Sequence, residues 1–520
     1  MLLRSVVLAS ALFAVPLNAV GAPLTPEQAT AQLYTALRTD PERLTLFLRQ
    51  FPKGADLHNH LVGAIYAESY LKWAAQDGLC VNTETNSILP NACTTPEQQS
   101  QLPATALPHN ATTTTAMIDA LSMRDFVPTA QDRSGHDHFF ATFDKFAAVT
   151  SKHSGDSLAE ALDRAANENI TYLELMVSPA LGQLIAAGGK HPLKGENFQA
   201  AIATLQKDLP SLLQAVKQET DDMEARANTL LQCGTPQAHP GCHVTVRYLY
   251  QTVRVLPPPA VFSQLYTGYN VVQADPRFVG LNFVAPEDNT IAMRDYDLHM
   301  RMFKTLGALY PDVKLSLHAG ELVPGLVPPE GLEHHIEAAI NVAGAKRIGH
   351  GIDIIWEKNA PTLLQTMAKN NILVEINLTS NDLILNVKGK EHPFALYWRA
   401  GVPLALSTDD EGVSRADLTQ DYYRAATTWP LTYQELKTLS RNGLTYAFLP
   451  GASLWQHGIL TPACTQKAST ACTNFLKNSD KARLQMTLEN KFSAFEESVT
   501  KNRLFKNDKG FVNTNPASAP

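Results

Sequence analysis

Short runs of apolar and β-branched residues recur along this chain at 55–61, 171–177, 243–250, 278–284, 314–317, 347–350, 372–376 and 402–406. Segments with a 3.6-residue apolar repeat separate or follow them, at 157–169, 198–231, 292–309, 331–343, 360–370, 393–400, 432–448 and 480–502. The strand-like runs are nearly continuous in apolar character and do not alternate, which means burial on both faces. Eight such strands, each followed by a crossover helix, predict an α/β fold of parallel strands, the (β/α)8 or TIM barrel. A doubly wound open sheet has the same rhythm. It would place a glycine-rich turn after the first strand, where this chain has His58-Asn59-His60.

A barrel leaves part of the 520 residues over, and the surplus falls in recognisable pieces. Residues 1–22 read as a secretory signal peptide, with Arg4 before an apolar stretch at 6–15 that is too short to span a bilayer and small residues after it. Cleavage after Ala19 or Ala22 leaves no membrane anchor and an exported chain, periplasmic or secreted. Residues 23–50 read as a helical extension that ends at Phe51-Pro52-Lys53-Gly54, and 51–506 as the barrel domain. Within the barrel, 78–136 is an insertion after the first strand, read as having little regular structure of its own. The polar tail at 507–520 is read as disordered. The His136-Asp137-His138 segment has no apolar strand before it and reads as a solvated loop.

The six cysteines form three close pairs, Cys80 with Cys93, Cys233 with Cys242 and Cys464 with Cys472, and local disulfides are the simplest pairing in an oxidising compartment. Zinc held by Cys233, His239, Cys242 and His243 is the rival, weakened by irregular spacing. With 43 basic against 50 acidic side chains the chain has no cationic excess to neutralise a phosphate backbone, so no nucleic-acid partner is expected.

The residues that carry chemistry stand where the strands stop. His58 and His60 are two apart and so project to one side of a strand. His318 closes the fifth run before Ala319-Gly320-Glu321, His350 closes the sixth, and Asp409-Asp410 close the eighth. A lone histidine at a strand end is usually just a satisfied polar residue, but the same pattern on four strands of one barrel points to a metal site. The fourth run, Phe278 to Val284, offers neither the Lys nor the Glu that would bridge two metals, so one is expected. No G-x-S-x-G elbow supports a serine nucleophile.

On these residues the chain resembles the adenosine and AMP deaminase family of metal-dependent amidohydrolases over most of 51–450. The matching motifs are Pro52-Lys53-Gly54 through His58-Asn59-His60-Leu61, Ser316-Leu317-His318-Ala319-Gly320-Glu321, Arg347-Ile348-Gly349-His350-Gly351, Thr379-Ser380-Asn381 and Ser407-Thr408-Asp409-Asp410. The leader, the insertion and Val284-Ala285-Pro286-Glu287-Asp288 are similar to the secreted deaminase-related growth factor branch. The resemblance implies one zinc ion held by His58, His60, His318 and Asp409. It implies a catalytic Glu321 that passes a proton to the purine ring, a His350 that holds the attacking hydroxide, and an Asp410 that binds the imidazole side of the base. Ala285 stands where the family has a Gly whose N–H binds the base.

The implied reaction is hydrolytic deamination of adenosine or 2′-deoxyadenosine to the inosine product and ammonia. The implied partner is a small-molecule purine nucleoside. Val62 stands where nucleoside deaminases carry an Asp that contacts the ribose 5′-hydroxyl. Its loss removes a charged hydrogen bond worth about 1.5–3 kcal/mol and brings in another 6-aminopurine or related heterocycle as the alternative substrate. A third reading, from the growth-factor likeness, is an extracellular binding protein on an inactive scaffold. Retention of the whole ligand set with Glu321 argues against it. The helices before Phe51 are similar to a dimerising extension, which implies a homodimer, although helices packed on their own barrel would look the same.

Overall fold

The computed structural model describes residues 23–93, 100–130, 132–456 and 458–505, so the signal segment and the tail at 507–520 lie outside the described residues. Strands β1 (Gly54–His60), β2 (Ile170–Val177), β3 (Thr245–Val253) and β4 (Phe278–Val284) form one parallel sheet. Strands β5 (Ser316–Ala319), β6 (Arg347–His350), β7 (Leu373–Ile376) and β8 (Leu404–Leu406) form a second. Isolated bridges join the two sheets at both edges, Leu281 with Leu315 and Asn59 with Asp409. The Leu281 N–H donates to the Lys314 carbonyl at 3.0 Å and the Asp409 N–H to the His58 carbonyl at 2.8 Å. The result is the expected (β/α)8 barrel. Every residue of β1 and β2 is buried; β2 reads as a nearly continuous apolar run, whereas β1 buries Asp56, His58, Asn59 and His60 beside Ala55 and Leu57.

The interior below the mouth is closed by charge as well as by Leu and Val. Arg347 at the start of β6 lies 2.7 Å from Glu174 of β2 and 2.6 Å from Glu375 of β7, with all three side chains at most 1% exposed. These N–H directions miss the oxygens, so the contacts act as ion pairs, and a guanidinium N–H reaches the Tyr446 carbonyl at 3.1 Å. The guanidinium also covers the Phe448 ring at 3.9 Å.

Two helical expectations change. The 198–231 segment is two helices, Phe198–Leu205 and Leu209–Leu230, because Pro210 lacks an N–H and fits only a first turn. The 331–343 segment breaks into a 3-10 turn Pro329–Leu332, a short helix His335–Ala338 and a π turn Ala339–Ala343 that ends at Gly344.

The insertion is more ordered than its sequence suggests. An antiparallel sheet of Cys80–Asn82, Ser87–Ile88 and Gln101–Pro103 precedes a 3-10 helix Ala104–His109 and a helix Ala111–Ala120. The threonine run lies in that last helix. Its poor propensity is offset by the Asn110 cap, which accepts from the Thr113 N–H, and by burial of Met117 and Ile118 in a separate apolar cluster. His136 and His138 also depart from the loop reading. They sit in the first turn of the helix Gly135–Thr150, capped by Ser134, and His138 is buried.

The leader forms α1 (Pro26–Leu37) and α2 (Pro41–Gln50), each with Pro in its first turn behind a Thr25 or Asp40 cap. Tyr34, Leu37, Leu44, Phe47 and Leu48 are at most 1% exposed, and Phe47 meets Phe495 of the C-terminal helix Asp480–Lys501 at 5.0 Å between ring centres. Lys437 ties Glu27 of α1 to Glu496 at 2.8 and 2.7 Å. The apolar faces that a homodimer would use are covered within the chain, so the leader gives that expectation no support.

The cysteines pair locally, Cys80–Cys93, Cys233–Cys242 and Cys464–Cys472, which removes the zinc reading of Cys233, His239, Cys242 and His243. Replacing Cys233 and Cys242 together by Ser is expected to lower the unfolding free energy by about 2–3 kcal/mol. A urea midpoint unchanged from wild type would contradict this. No helix among the described residues is long and apolar enough to cross a membrane.

Candidate active site and metal centre

β1 delivers His58 and His60 to the mouth, β5 delivers His318, and the turn after β8 delivers Asp409. His318 Nε2 lies 3.1 Å from His58 Nε2 and 3.2 Å from His60 Nε2, and Asp409 Oδ1 lies 3.3 and 3.2 Å from the same two atoms. All four side chains are buried. Hydrogen bonds assign the tautomers: His58 Nδ1 donates to Glu375 Oε2 at 2.7 Å and His60 Nδ1 to Gln251 Oε1 at 2.6 Å, which leaves both Nε2 atoms as lone pairs. Lone pairs facing one another need a shared electrophile. Tetrahedral bonds of ~2.0–2.1 Å give ligand separations of ~3.3 Å, so the donor set fits a divalent ion of the zinc class. Gly349 makes room for this ring packing, since a Cβ there would lie 2.6 Å from His58 Cε1.

Glu321, His350 and Asp409 also come within reach of one another, sharing Asp409 with the first group, so the two sets describe one site. Burial, then the charges of Asp409 and Glu287, push the Glu321 carboxyl well above the usual carboxylate range. Its Oε1 lies 3.6 Å from His350 Nδ1. His350 Nδ1 accepts from Asn381 Nδ2 at 2.8 Å, which leaves the proton on Nε2, 3.8 Å from Asp409 Oδ2. Burial pulls the His350 pKa down to about 3 and keeps the ring neutral.

Asp410 lines the same mouth with its Oδ1 buried and unpartnered, and burial and the Asp409 charge push its carboxyl well above the ordinary value. Gly63 makes that position possible, because a Cβ on it would lie 1.6 Å from Asp410 Oδ1. Gly63→Ala is therefore expected to displace Asp410 and lower kcat/KM about 10²-fold while metal content stays at the wild-type level. Equal activity in the two proteins would rule out the contact as a constraint.

Ala285 lies on the cavity wall with φ +93°, a conformation that favours glycine, and its carbonyl accepts from Arg254 Nε at 2.8 Å. His350 and Asp409 also have positive φ, at +68° and +63°. Three non-glycine residues in this region at one barrel mouth are held there against a cost of order 1 kcal/mol each.

All the residues expected from the sequence are brought together here, and others join them, among them Ser380, Asn381 and Glu287, which the matching motifs contain but to which the sequence alone assigned no role. Ser380 Oγ donates to Asp409 Oδ2 at 2.6 Å, and Asn381 orients His350. Glu287, fully buried, accepts the Glu321 N–H at 2.8 Å, the Gly320 N–H at 3.1 Å and His335 Nδ1 at 2.6 Å. Burial would raise the Glu287 pKa, but His335 and Arg254 hold it down to about 2. The only signal that could have found Glu287 and Glu375 is a carboxylate in or beside an apolar run, which needs a partner.

The adenosine deaminase family model matches residues 104–454, a span that holds His318, Glu321, His350, Asp409 and Asp410 and begins after His58 and His60. An adenosine deaminase of Aliivibrio fischeri is 37% identical over 154 residues, 29% of this chain and 42% of that protein. One of Enterococcus faecalis is 36% identical over 138 residues, 26% and 37% of the two chains. The alignments thus span about two fifths of these curated relatives. In three dimensions the chain is similar to the N6-methyl-AMP deaminase of Arabidopsis thaliana, at 17% identity and a TM-score of 0.52 over 86% of this chain and 98% of that one. With the family match covering most of the barrel and both strand-end carboxylates, the chain belongs to the adenosine deaminase family.

Proposed function

We propose that this protein is a zinc-dependent aminohydrolase, with one ion per chain, that converts adenosine or 2′-deoxyadenosine to the 6-oxo nucleoside and ammonia. The observation that carries the reading is the convergence of the His58, His60, His318 and Asp409 donor atoms beside a buried Glu321, whose carboxyl is pushed well above its ordinary value, and a neutral His350. A divalent ion bound there would lower the pKa of water towards neutrality and supply hydroxide. Glu321 donates its proton to the ring nitrogen beside C6, which makes that carbon electrophilic. His350, its Nε2–H held in place by Asn381, hydrogen-bonds the attacking oxygen and stabilises its charge. Asp410 hydrogen-bonds the imidazole side of the purine and fixes the base over Glu321. Water adds at C6, the amino group takes up a proton, and the C6–N bond breaks to release ammonia.

Roles follow for the rest of the chain. Residues 1–22 act as a signal peptide, and the mature barrel works in the periplasm or outside the cell. The three disulfides support this. Loss of absorbance at the adenine band, measured for adenosine, deoxyadenosine, adenine and AMP, tests the reading, and no turnover of any of them would end it.

A further inference from the structure

Resting on that deaminase reading, we infer that the preferred substrate is a 6-aminopurine nucleoside whose sugar carries a long, uncharged, apolar extension. The extension is housed in a gallery that leads from the metal-bearing mouth along the helix Gly135–Thr150. His60, His318, Glu321, Asp409 and Asp410 line a cavity of about 1280 Å³, larger than the ~300–1,000 Å³ usual for small-molecule sites. The helix Gly135–Thr150, which starts where the insertion ends, contributes lining residues from Phe139 to Thr150, which at ~1.5 Å per residue makes a wall ~16 Å long. The amino-terminal end of that wall is pinned at the mouth. His136 Nε2 meets Asp288 Oδ1 at 3.0 Å, one residue beyond the Glu287 that holds the Glu321 backbone. A nucleoside seated on Glu321 and Asp410 fills only the first part of such a gallery.

The chemistry of the wall selects the rest. Val62, Phe140, Phe143, Val177 and Leu181 are among the side chains that line the gallery. Val62 is 39% exposed although it directly follows the buried His60-Leu61. An uncharged alkyl or thioether chain gains free energy by covering these faces. A phosphate does not fit. Apart from the site histidines, the cations among the described residues that line the gallery are Lys152 and Arg226. Arg226 is already held by Asp156 through hydrogen bonds of 2.9 and 3.2 Å, and Asp144, Glu219 and Asp222 line the same space. An anionic extension would leave water for an apolar wall and then meet carboxylates.

The test ranks kcat/KM of the full mature chain for adenosine, AMP and 5′-deoxy-5′-(butylthio)adenosine, a thioether probe of suitable length. The thioether is expected about tenfold or more above adenosine and AMP about tenfold or more below it. Phe143→Ala is expected to lower kcat/KM for the thioether about tenfold through KM, with adenosine changed by less than about threefold. Turnover of adenosine with a thioether no better than adenosine, or with AMP preferred, overturns the inference and leaves the deaminase reading intact. An equal loss for both substrates in Phe143→Ala overturns it as well. No turnover of any of the three overturns both. The wild-type ranking decides alone if Phe143→Ala does not fold.

Discussion

Glu321→Gln leaves the metal content of the purified protein unchanged and lowers kcat for adenosine about 10³-fold. The separation of the two readouts is the point of the experiment. Glu321 is not among the four donors at the metal centre, and its carboxyl reaches them only through His350 at 3.6 Å and the shared neighbourhood of Asp409. Glutamine keeps the volume and a hydrogen-bonding N–H, so the base can still dock, but an amide has no proton to give. Burial makes this role available to a carboxyl, because the same side chain in water would be ionised at neutral pH. The backbone beneath it is independently fixed by Glu287, so the substitution does not loosen the loop. Metal analysis by plasma emission and turnover by ultraviolet absorbance decide the matter. A variant within about tenfold of wild type would remove Glu321 from proton transfer, and a variant that loses its metal would make it a structural residue.

What the sequence could carry and what it could not divide along a physical line. β2 was legible because burial on both faces leaves a nearly continuous apolar run, and His58 and His60 on β1 because a two-residue spacing survives any detail of the backbone. The insertion was not legible. Its order comes from a disulfide, an Asn110 cap and an apolar cluster of its own, each weak in local sequence and effective only once the chain has folded back. The break at Pro210 was readable from its missing N–H and was passed over. Positive φ at Ala285, His350 and Asp409 leaves no local signal, since non-glycine residues adopt it only when the surroundings impose it. The partners that orient the site, Gln251 on β3, Glu375 on β7, and Ser380 and Asn381 in the helix Leu378–Leu385 that follows β7, lie far from their targets in sequence, and only the closed barrel brings them into contact.

Glu375→Gln is expected to weaken metal binding about 10–100-fold with the fold retained, and Glu375→Ala to destabilise the protein by about 3–5 kcal/mol. Both follow from the position of this carboxylate between two demands. Its Oε2 accepts from His58 Nδ1 at 2.7 Å and so fixes the tautomer that aims Nε2 at the metal. Its Oε1 accepts from Ser316 Oγ at 2.7 Å and lies 2.6 Å from Arg347 Nε. Nothing in this group is more than 1% exposed, so water cannot replace a lost partner. Glutamine fills the same space and can still accept from His58 through its carbonyl, but the negative charge that makes the imidazole a stronger ligand is gone. Arg347 keeps Glu174 at 2.7 Å, and the barrel survives. Alanine leaves a buried guanidinium with one counter-charge and a void beside His58, which is why the two substitutions should separate. Chelator competition measures the first effect and thermal unfolding the second. If Glu375→Gln held its metal as tightly as wild type, His58 would have to be oriented by the barrel backbone alone, and the ion network would serve stability without touching the site.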